Sequence, residues 1–326
     1  MNVRGCRIIG LGSYLPQTVL SNKDLEGMVD TTDEWIMQRT GIRERRIAAK
    51  GEKTSDLAAK AGAEAMKNAS VGPEEIDLVA VASISQETAF PSAACHVQAK
   101  LGLVNAGAFD LLAACSGFIY SMVLVSSLIR TGGIRTALLI GAECLSSVTD
   151  YTDRSSCILF GDGAGAVVLR AGTEQENGIL YYSLGADGAG GGCMVLTAAN
   201  NYDGLAPESR NHYITIRGRE VYRFAVQKMV DLIRDSLAKT GYGPQDISLV
   251  VPHQVNIRIL EAAARRSDIP MEKLYINIDR FGNTSAASVP IALDEAREKG
   301  LIKHGDLVLL VAFGGGLTWG SCLVRY

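Results

Sequence analysis

Short apolar runs rich in Val, Ile and Leu alternate along the chain with longer stretches patterned at helical spacing. The clearest succession is EIDLVAVASI from Glu75, a helix through PSAACHVQAKLG, AGAFDLLAA from Ala106, a second helix, and IRTALLIGAE from Ile134. Runs apolar at successive positions, rather than at every second one, belong to strands covered on both faces. The pattern therefore predicts an α/β protein with a largely parallel sheet flanked by helices. The stretch from Gly185 to Asn211, rich in Gly, Ala and Asn, predicts a loop.

The chain also echoes itself. VGPEEIDLV, from Val71 to Val79, and YGPQDISLV, from Tyr242 to Val250, agree at five of nine positions. IRTALLIGAE from Ile134 and HGDLVLLVAF from His304 fall at nearly the same offset, and FGDGAGAVVLR from Phe160 and FGGGLTWGSCLVR from Phe313 somewhat nearer. Three ordered echoes at so long a period predict a duplicated βαβ-type half, residues 1–171 and 172–326, rather than a solenoid. Ligands favour the carboxyl ends of parallel strands, so the strand-to-helix turns near the axis relating the halves are where chemistry belongs.

Composition narrows the function. A net charge of −3, with both signs present, implies neither a nucleic-acid partner nor a disordered chain. The seven cysteines are odd in number, scattered and without a CxxC pair, which implies a reduced compartment and no metal centre. The opening MNVRGCRIIGLGSYLP lacks the apolar core of a signal peptide, and no window offers the ~20 apolar residues of a membrane span. A soluble, cytoplasmic protein is expected.

Cys115 is the expected nucleophile. In FDLLAACSGFIYSMVLVSSLIRTGG a strand gives way to a helix at this residue, where unpaired N–H groups favour thiolate and can hold an oxyanion. A free cysteine also packs well as a small buried hydrophobe, the reading that suits Cys6, Cys157 and Cys322. Of the four histidines, His253 alone follows a strand, ISLVVP; His96 lies in a predicted helix, and His212 and His304 precede strands. Asn283, in YINIDRFGNTSAASVPIAL, falls at the second half's counterpart of the Cys115 turn, with Thr284 or Ser285 available as a helix cap. Taken alone, without Cys115 and His253, it reads first as a plain helix-capping turn. FGDGAGAVVL and FGGGLTWGS lack G-x-G-x-x-G spacing and run into strands, so they are no dinucleotide fingerprint; a Gly315 N–H beside Cys115 would instead complete an oxyanion hole.

Together AACSGF, VPHQVN, FGNTSAAS, GDGAGA, FGGGLTWGS and DTTDEWIMQRTGIRERR closely resemble β-ketoacyl-acyl carrier protein synthase III over the whole chain. The resemblance implies a thiolase-like fold of two duplicated α/β halves in αβαβα layers. It implies a homodimer that condenses acetyl-CoA or another short acyl-CoA with malonyl-acyl carrier protein to begin fatty acid biosynthesis, with coenzyme A thioester as substrate and no other cofactor. By motif, Cys115 is acylated, His253 and Asn283 bind the malonyl thioester oxygen, and the Cys115 and Gly315 N–H groups form the oxyanion hole. Trp35, Arg39 and Arg154 flank coenzyme A, Gly218 and Asn256 line the pantetheine tunnel, and Phe90 reaches the partner subunit's acyl pocket. Arg258, Arg265 and Arg266 on one predicted helix either dock the acidic carrier protein or form a solvated face. Val255, Leu317 and TAANNYDGLAPE depart from the family's usual residues near the tunnel and leave primer length open. Two other acyl-chemistry readings stand beside this one, a related acyltransferase of secondary metabolism and a cysteine hydrolase; the latter lacks a G-x-S-x-G or G-x-C-x-G elbow. A scaffold without activity is the third alternative.

Overall fold

The computed structural model describes residues 5–197 and 212–326. After β1 (Gly5–Tyr14), β2 (Thr18–Ser21) and β3 (Glu44–Ile47) form a small separate ladder. β4 (Leu78–Ala82), β5 (Gly107–Leu111), β6 (Thr136–Cys144) and β7 (Asp162–Gly172) join β1 in a sheet ordered β1-β7-β6-β4-β5. Beyond β8 (Ile179–Ala186) and a two-residue ladder of β9 (Met194–Val195) and β10 (Thr215–Ile216), a second sheet forms. It comprises β11 (Leu249–Pro252), β12 (Leu307–Gly314), β13 (Thr318–Arg325) and β8, in the order β11-β12-β13-β8. Each sheet is parallel except for one strand, β7 or β13, which runs against both neighbours.

The echo in sequence is an echo in register. Leu78 pairs with Ala137, and Leu249 with Val308; one and the same step along the chain carries Leu78 to Leu249 and Ala137 to Val308. Both sheets even skip one residue at the same place, Ile9 in β1 and Leu180 in β8. The position that β5 fills in the first sheet is filled in the second by a lone parallel bridge between Val250 and Leu274.

Helices complete five layers, in accord with the αβαβα expectation. α3 (Thr54–Ala69) and α4 (Ala93–Leu101) cover the outer face of the first sheet, against Val79, Val81, Leu138 and Ile140. α7 (Gly218–Thr240) and α8 (Ile257–Arg266) cover the outer face of the second, against Val250, Leu309 and Val311. α5 (Gly117–Arg130) and α10 (Ser288–Glu298) lie between the sheets, where Phe118, Ile119, Met122, Val289 and Leu293 meet Ala80, Leu139, Val251 and Leu310. The α5 sequence GFIYSMVLVSSLIR is apolar nearly all round, as a helix enclosed by two sheets must be.

Of four shorter helices, α1 (Asn22–Glu26), α2 (Asp33–Thr40) and α6 (Arg154–Cys157) pack together through Leu25, Ile36 and Cys157, while α9 (Ile278–Phe281) lies against β3. Arg45, fully buried, joins this region to the body through bonds to Leu20 O (3.1 Å), Asn22 Oδ1 (3.0 Å) and Ile158 O (2.7 Å).

The middle layer tolerates no added atom where α10 crosses β7. A Cβ at Gly165 would stand 2.5 Å from Ile291 N and 2.7 Å from Pro290 C, both backbone atoms. Gly165→Ala should therefore lower stability by roughly 1–3 kcal/mol. Urea unfolding checks this, with an unchanged midpoint counting against the packing.

Candidate active site

β5 ends at Leu111, and the chain turns through a 3₁₀ segment, Ala114–Ser116, before α5 begins. Ala114 holds φ at 45°, a left-handed conformation that is strained for a residue with a Cβ. Neighbours fix it: the Ala113 carbonyl accepts from Ser116 Oγ (2.7 Å) and from Thr318 Oγ1 (3.0 Å). The second half repeats the elbow with Ser285 at φ 47°, a 3₁₀ segment Ser285–Ala287, and then α10. Counted from these turns, the residue matching Cys115 is Ala286. Asn283 stands three positions earlier, so the sequence-level match of Asn283 to the Cys115 turn is corrected by that step. Nor does Thr284 or Ser285 cap α10, whose N-cap is Ala287 without a side-chain bond.

Asn283 is instead held as a ligand-facing amide. Its Oδ1 accepts from Ser285 N (2.9 Å), which commits the oxygen and leaves the N–H donors for a bound group. Its backbone bridges to the first half, donating to Leu159 O (2.9 Å) and accepting from Gly161 N (3.1 Å).

His253 directly follows β11 and is anchored by its N–H to Val311 O (2.7 Å). Its Nδ1 lies 2.7 Å from Ser288 Oγ, which accepts from Gln254 N (3.4 Å). In the tautomer with its hydrogen on Nε2, ready to donate, Nδ1 accepts from Ser288 Oγ. Phe313 meets the ring edge to face at 5.6 Å. Burial holds His253 down to about 3, so it is neutral at physiological pH.

Cys115, His253 and Asn283 line one cavity, whose remaining wall is Met194, Val221, Phe224, Val255, Phe313, Gly314 and Leu317. The thiol corrects another expectation. Although Cys115 stands at a helix start, burial pushes it up to about 12, with the nearby Glu143 carboxyl adding in the same direction. Desolvation outweighs the helix end here, so the resting group is a thiol. The end of β12 adjoins it: a Cβ on Gly314 would meet Cys115 N at 2.6 Å, and one on the next residue, Gly315, would meet Met194.

An apolar cavity holding a thiol and two neutral donors suits acyl transfer to sulfur followed by stabilisation of a developing oxyanion. Comparison with known proteins agrees. Residues 109–188 match the family model for 3-oxoacyl-[acyl-carrier-protein (ACP)] synthase III, and residues 237–326 match the model for its C-terminal part. The β-ketoacyl-[acyl-carrier-protein] synthase III of Caldanaerobacter subterraneus subsp. tengcongensis is 49% identical, covering 98% of this chain and 97% of its own. The chain belongs to the synthase III family. It is accordingly an acyltransferase of the condensing-enzyme class. The crystal structure of the Aquifex aeolicus synthase III superposes with a TM-score of 0.91 at 48% identity, covering 99% of this chain and all of the other, and confirms the thiolase-like fold. The priming β-ketosynthase of the R1128 polyketide pathway superposes at 0.92 with 35% identity, over 99% and 96% of the two chains.

Other residues singled out in the sequence fall into separate groups. The Arg39 and Arg154 guanidinium groups pack on the Trp35 ring at 5.0 and 4.9 Å from its centre. Asn256 joins them by donating to Arg39 O (2.7 Å) while capping α8. Gly218 opens α7, one turn before the cavity residue Val221. Phe90 is 86% exposed and is not part of the wall of the Cys115 cavity. Arg258, Arg265 and Arg266 are exposed on α8, but Arg266 is tied to Gln227 of α7. Val255 and Leu317 do line the cavity, while residues 198–208 of TAANNYDGLAPE lie outside the described residues.

Sequence reasoning missed Ser288 and Glu143 and took Ser285 only for a helix cap. Both serines sit within the quoted FGNTSAAS motif and Glu143 within the IRTALLIGAE echo, so spacing marked their segments without showing what these side chains face. Burial also pushes Glu143 up to about 7.

Ser288→Ala should slow malonyl-thioester decarboxylation by roughly tenfold, about one hydrogen bond's worth of ring orientation, while leaving Cys115 acylation unchanged. Separate half-reaction assays check this; equal losses in both would contradict the assignment. The His253 ring also sets a stability slope. Above its ordinary value of 6.5 the ring is neutral folded and unfolded, whereas between 6.5 and about 3 only the unfolded ring takes up a proton. Stability should thus fall as pH drops through that window, and less so in His253→Phe, as read from urea midpoints at pH 7 and pH 5.

Proposed function

We propose that this chain joins a short acyl-CoA to malonyl-acyl carrier protein by decarboxylative Claisen condensation, initiating fatty acid biosynthesis, with Cys115 carrying the acyl group. The observation that carries this reading is the placement of the Cys115 thiol with neutral His253 and Asn283 on one apolar cavity where the two halves meet. Exchange of one thioester for another on Cys115 is close to balanced. Loss of CO₂ from the malonyl group then creates an enolate, which needs donors aimed at its oxygen rather than a strong base. His253 Nε2–H and the Asn283 amide are those donors, a contribution of roughly 3–4 kcal/mol each in well-built oxyanion sites. The backbone N–H groups of Cys115 and Gly315 hold the oxyanion of the acyl-transfer step.

Trp35, with the Arg39 and Arg154 cations upon it, offers coenzyme A a flat face beside positive charge. Asn256, bonded to Arg39, and Gly218, one turn before the cavity residue Val221, are read here as lining the pantetheine tunnel. The scheme balances with the coenzyme A thioester as substrate and calls on no metal or redox cofactor. β5 is an edge strand, flanked by exposed Phe90, Val104 and Leu112, and suits a homodimer in which Phe90 enters the partner's acyl pocket. Arg258, Arg265 and Arg266 lie on the helix capped by Asn256 and suit an acidic carrier protein. Among the described residues no helix is long and apolar enough to cross a membrane, and cytoplasmic fatty acid synthesis is the setting this reading implies. The division into halves 1–171 and 172–326 belongs to the same reading, supported by the paired registers of the two sheets. The higher identity to synthases named for β-ketoacyl formation than to the polyketide-priming enzyme favours the fatty-acid role.

Incubation with acyl-CoAs of graded length, followed by mass spectrometry, should reveal an acyl adduct on Cys115 and identify the primer. His253→Ala and Asn283→Ala should keep that adduct while losing roughly 10²-fold or more in malonyl decarboxylation. No adduct with any acyl-CoA would overturn the reading.

A further inference from the structure

Glu143 is a fully buried carboxyl that the scheme above leaves without a task. It lies on β6, where Ala137 and Leu139 face the middle layer; the strand's two-residue period turns Gly141 and Glu143 the same way. That face meets the second elbow, for the Gly141 α-carbon packs directly on the Ala286 carbonyl. Three donors hold the carboxylate: Ser85 Oγ at 2.6 Å, Ser83 Oγ at 3.1 Å and Ile84 N at 3.1 Å. No lysine or arginine is among these partners; the titratable groups facing it are the Cys115 and Cys144 thiols. Asp162, which faces Cys144, is itself bound by Ala48 N and Ser146.

Between Glu143 and Cys115 stands Ser285. Its side chain is adjacent to both groups, is 1% exposed, and forms no hydrogen bond of ordinary geometry. A buried hydroxyl without a partner is rare, and this one is fixed by a strained backbone at φ 47°. The duplication makes the arrangement one-sided. The step that carries Ala137 to Val308 carries Glu143 to Gly314, whose α-carbon backs onto Cys115. A carboxyl thus occurs at one strand end only, on the side where a thiol must lose its proton.

We propose that Ser285 and Glu143 form a relay that takes the Cys115 proton as the thiol attacks the acyl thioester. The inference rests on the acyl-Cys115 reading. Cys115 Sγ–H breaks and its proton passes to Ser285 Oγ, whose own proton passes to the Glu143 carboxylate. The S–H electron pair forms the new S–C bond. When the tetrahedral oxyanion collapses, the C–S bond to coenzyme A breaks, and the departing thiolate regains a proton from Glu143 along the same path. Thiol and thioester exchange with nothing left over. Ser285 has no hydrogen-bond partner at rest, so in the relay both of its bonds form as the thiol attacks, and Glu143 acts through it.

The relay makes acylation depend on ionised Glu143, and a bulk-charge role makes the opposite prediction. If the carboxylate merely repelled the thiolate, Glu143→Gln would acylate faster. The test is single-turnover acylation of the full-length enzyme by acetyl-CoA from pH 5.5 to 9, read by intact mass, with malonyl-acyl carrier protein decarboxylation measured alongside. In the unaltered enzyme the rate should rise through a limb near neutrality. Glu143→Gln and Ser285→Ala should each lose that limb and roughly 10²-fold in rate at pH 7.5, with decarboxylation retained; Glu143→Asp should keep the limb. Acylation by Glu143→Gln at or above the unaltered rate overturns the relay, as does an unchanged pH profile in Ser285→Ala, which carries the test should the Gln variant fail to fold. Failure of the unaltered enzyme to acylate would instead overturn the acyl-Cys115 reading itself.

Discussion

Enclosure of α5 and α10 between two sheets is the constraint from which the rest of the molecule follows. Both helices are largely buried, and each enters the middle layer by a tight elbow, after β5 for α5 and after α9 for α10; the two elbows arrive at one place. The left-handed backbones at Ala114 and Ser285 are the local strain that this convergence requires. The glycines at 141, 165 and 314 let backbone approach backbone closely enough for the layers to close.

Enclosure also sets the electrostatics. The same loss of water holds His253 neutral, keeps Cys115 as a thiol and raises Glu143 towards neutrality. For His253 the effect is useful as it stands, because a neutral ring with its hydrogen on Nε2 is the donor an enolate needs. For Cys115 it creates a problem, since the nucleophile is the thiolate. A helix start cannot compensate alone in a site this dry, and a buried acceptor nearby acquires chemical meaning.

Duplication supplied the frame and divergence supplied the chemistry. The registers of the two sheets agree to the residue, including a shared bulge, yet functional side chains do not repeat. Ala286 stands where the first elbow has Cys115, and Gly314 where the first sheet has Glu143. The site is therefore an asymmetric cavity within a nearly symmetric scaffold, with sulfur from one half and donors from the other.

Much of this was legible in the linear chain. Apolar runs in EIDLVAVASI and IRTALLIGAE imposed strands covered on both faces, and the long-period echoes imposed two like halves, because burial acts locally and repeats where sequence repeats. Cys115 and His253 were found because each follows a strand, and Asn283 because its turn opens a helix like that of Cys115, although helix α9 rather than the expected strand precedes it. What the sequence alone did not decide was anything that depends on through-space neighbours: the thiol's proton affinity, the contact of Ser288 with His253 Nδ1, and the proximity of Ser285 and Glu143. Glu143 reads in the chain as one more charge at a strand end. Only the folding of α10 across β6, which brings Ser285 against Glu143 and removes water from both, turns it into a buried acid beside the nucleophile.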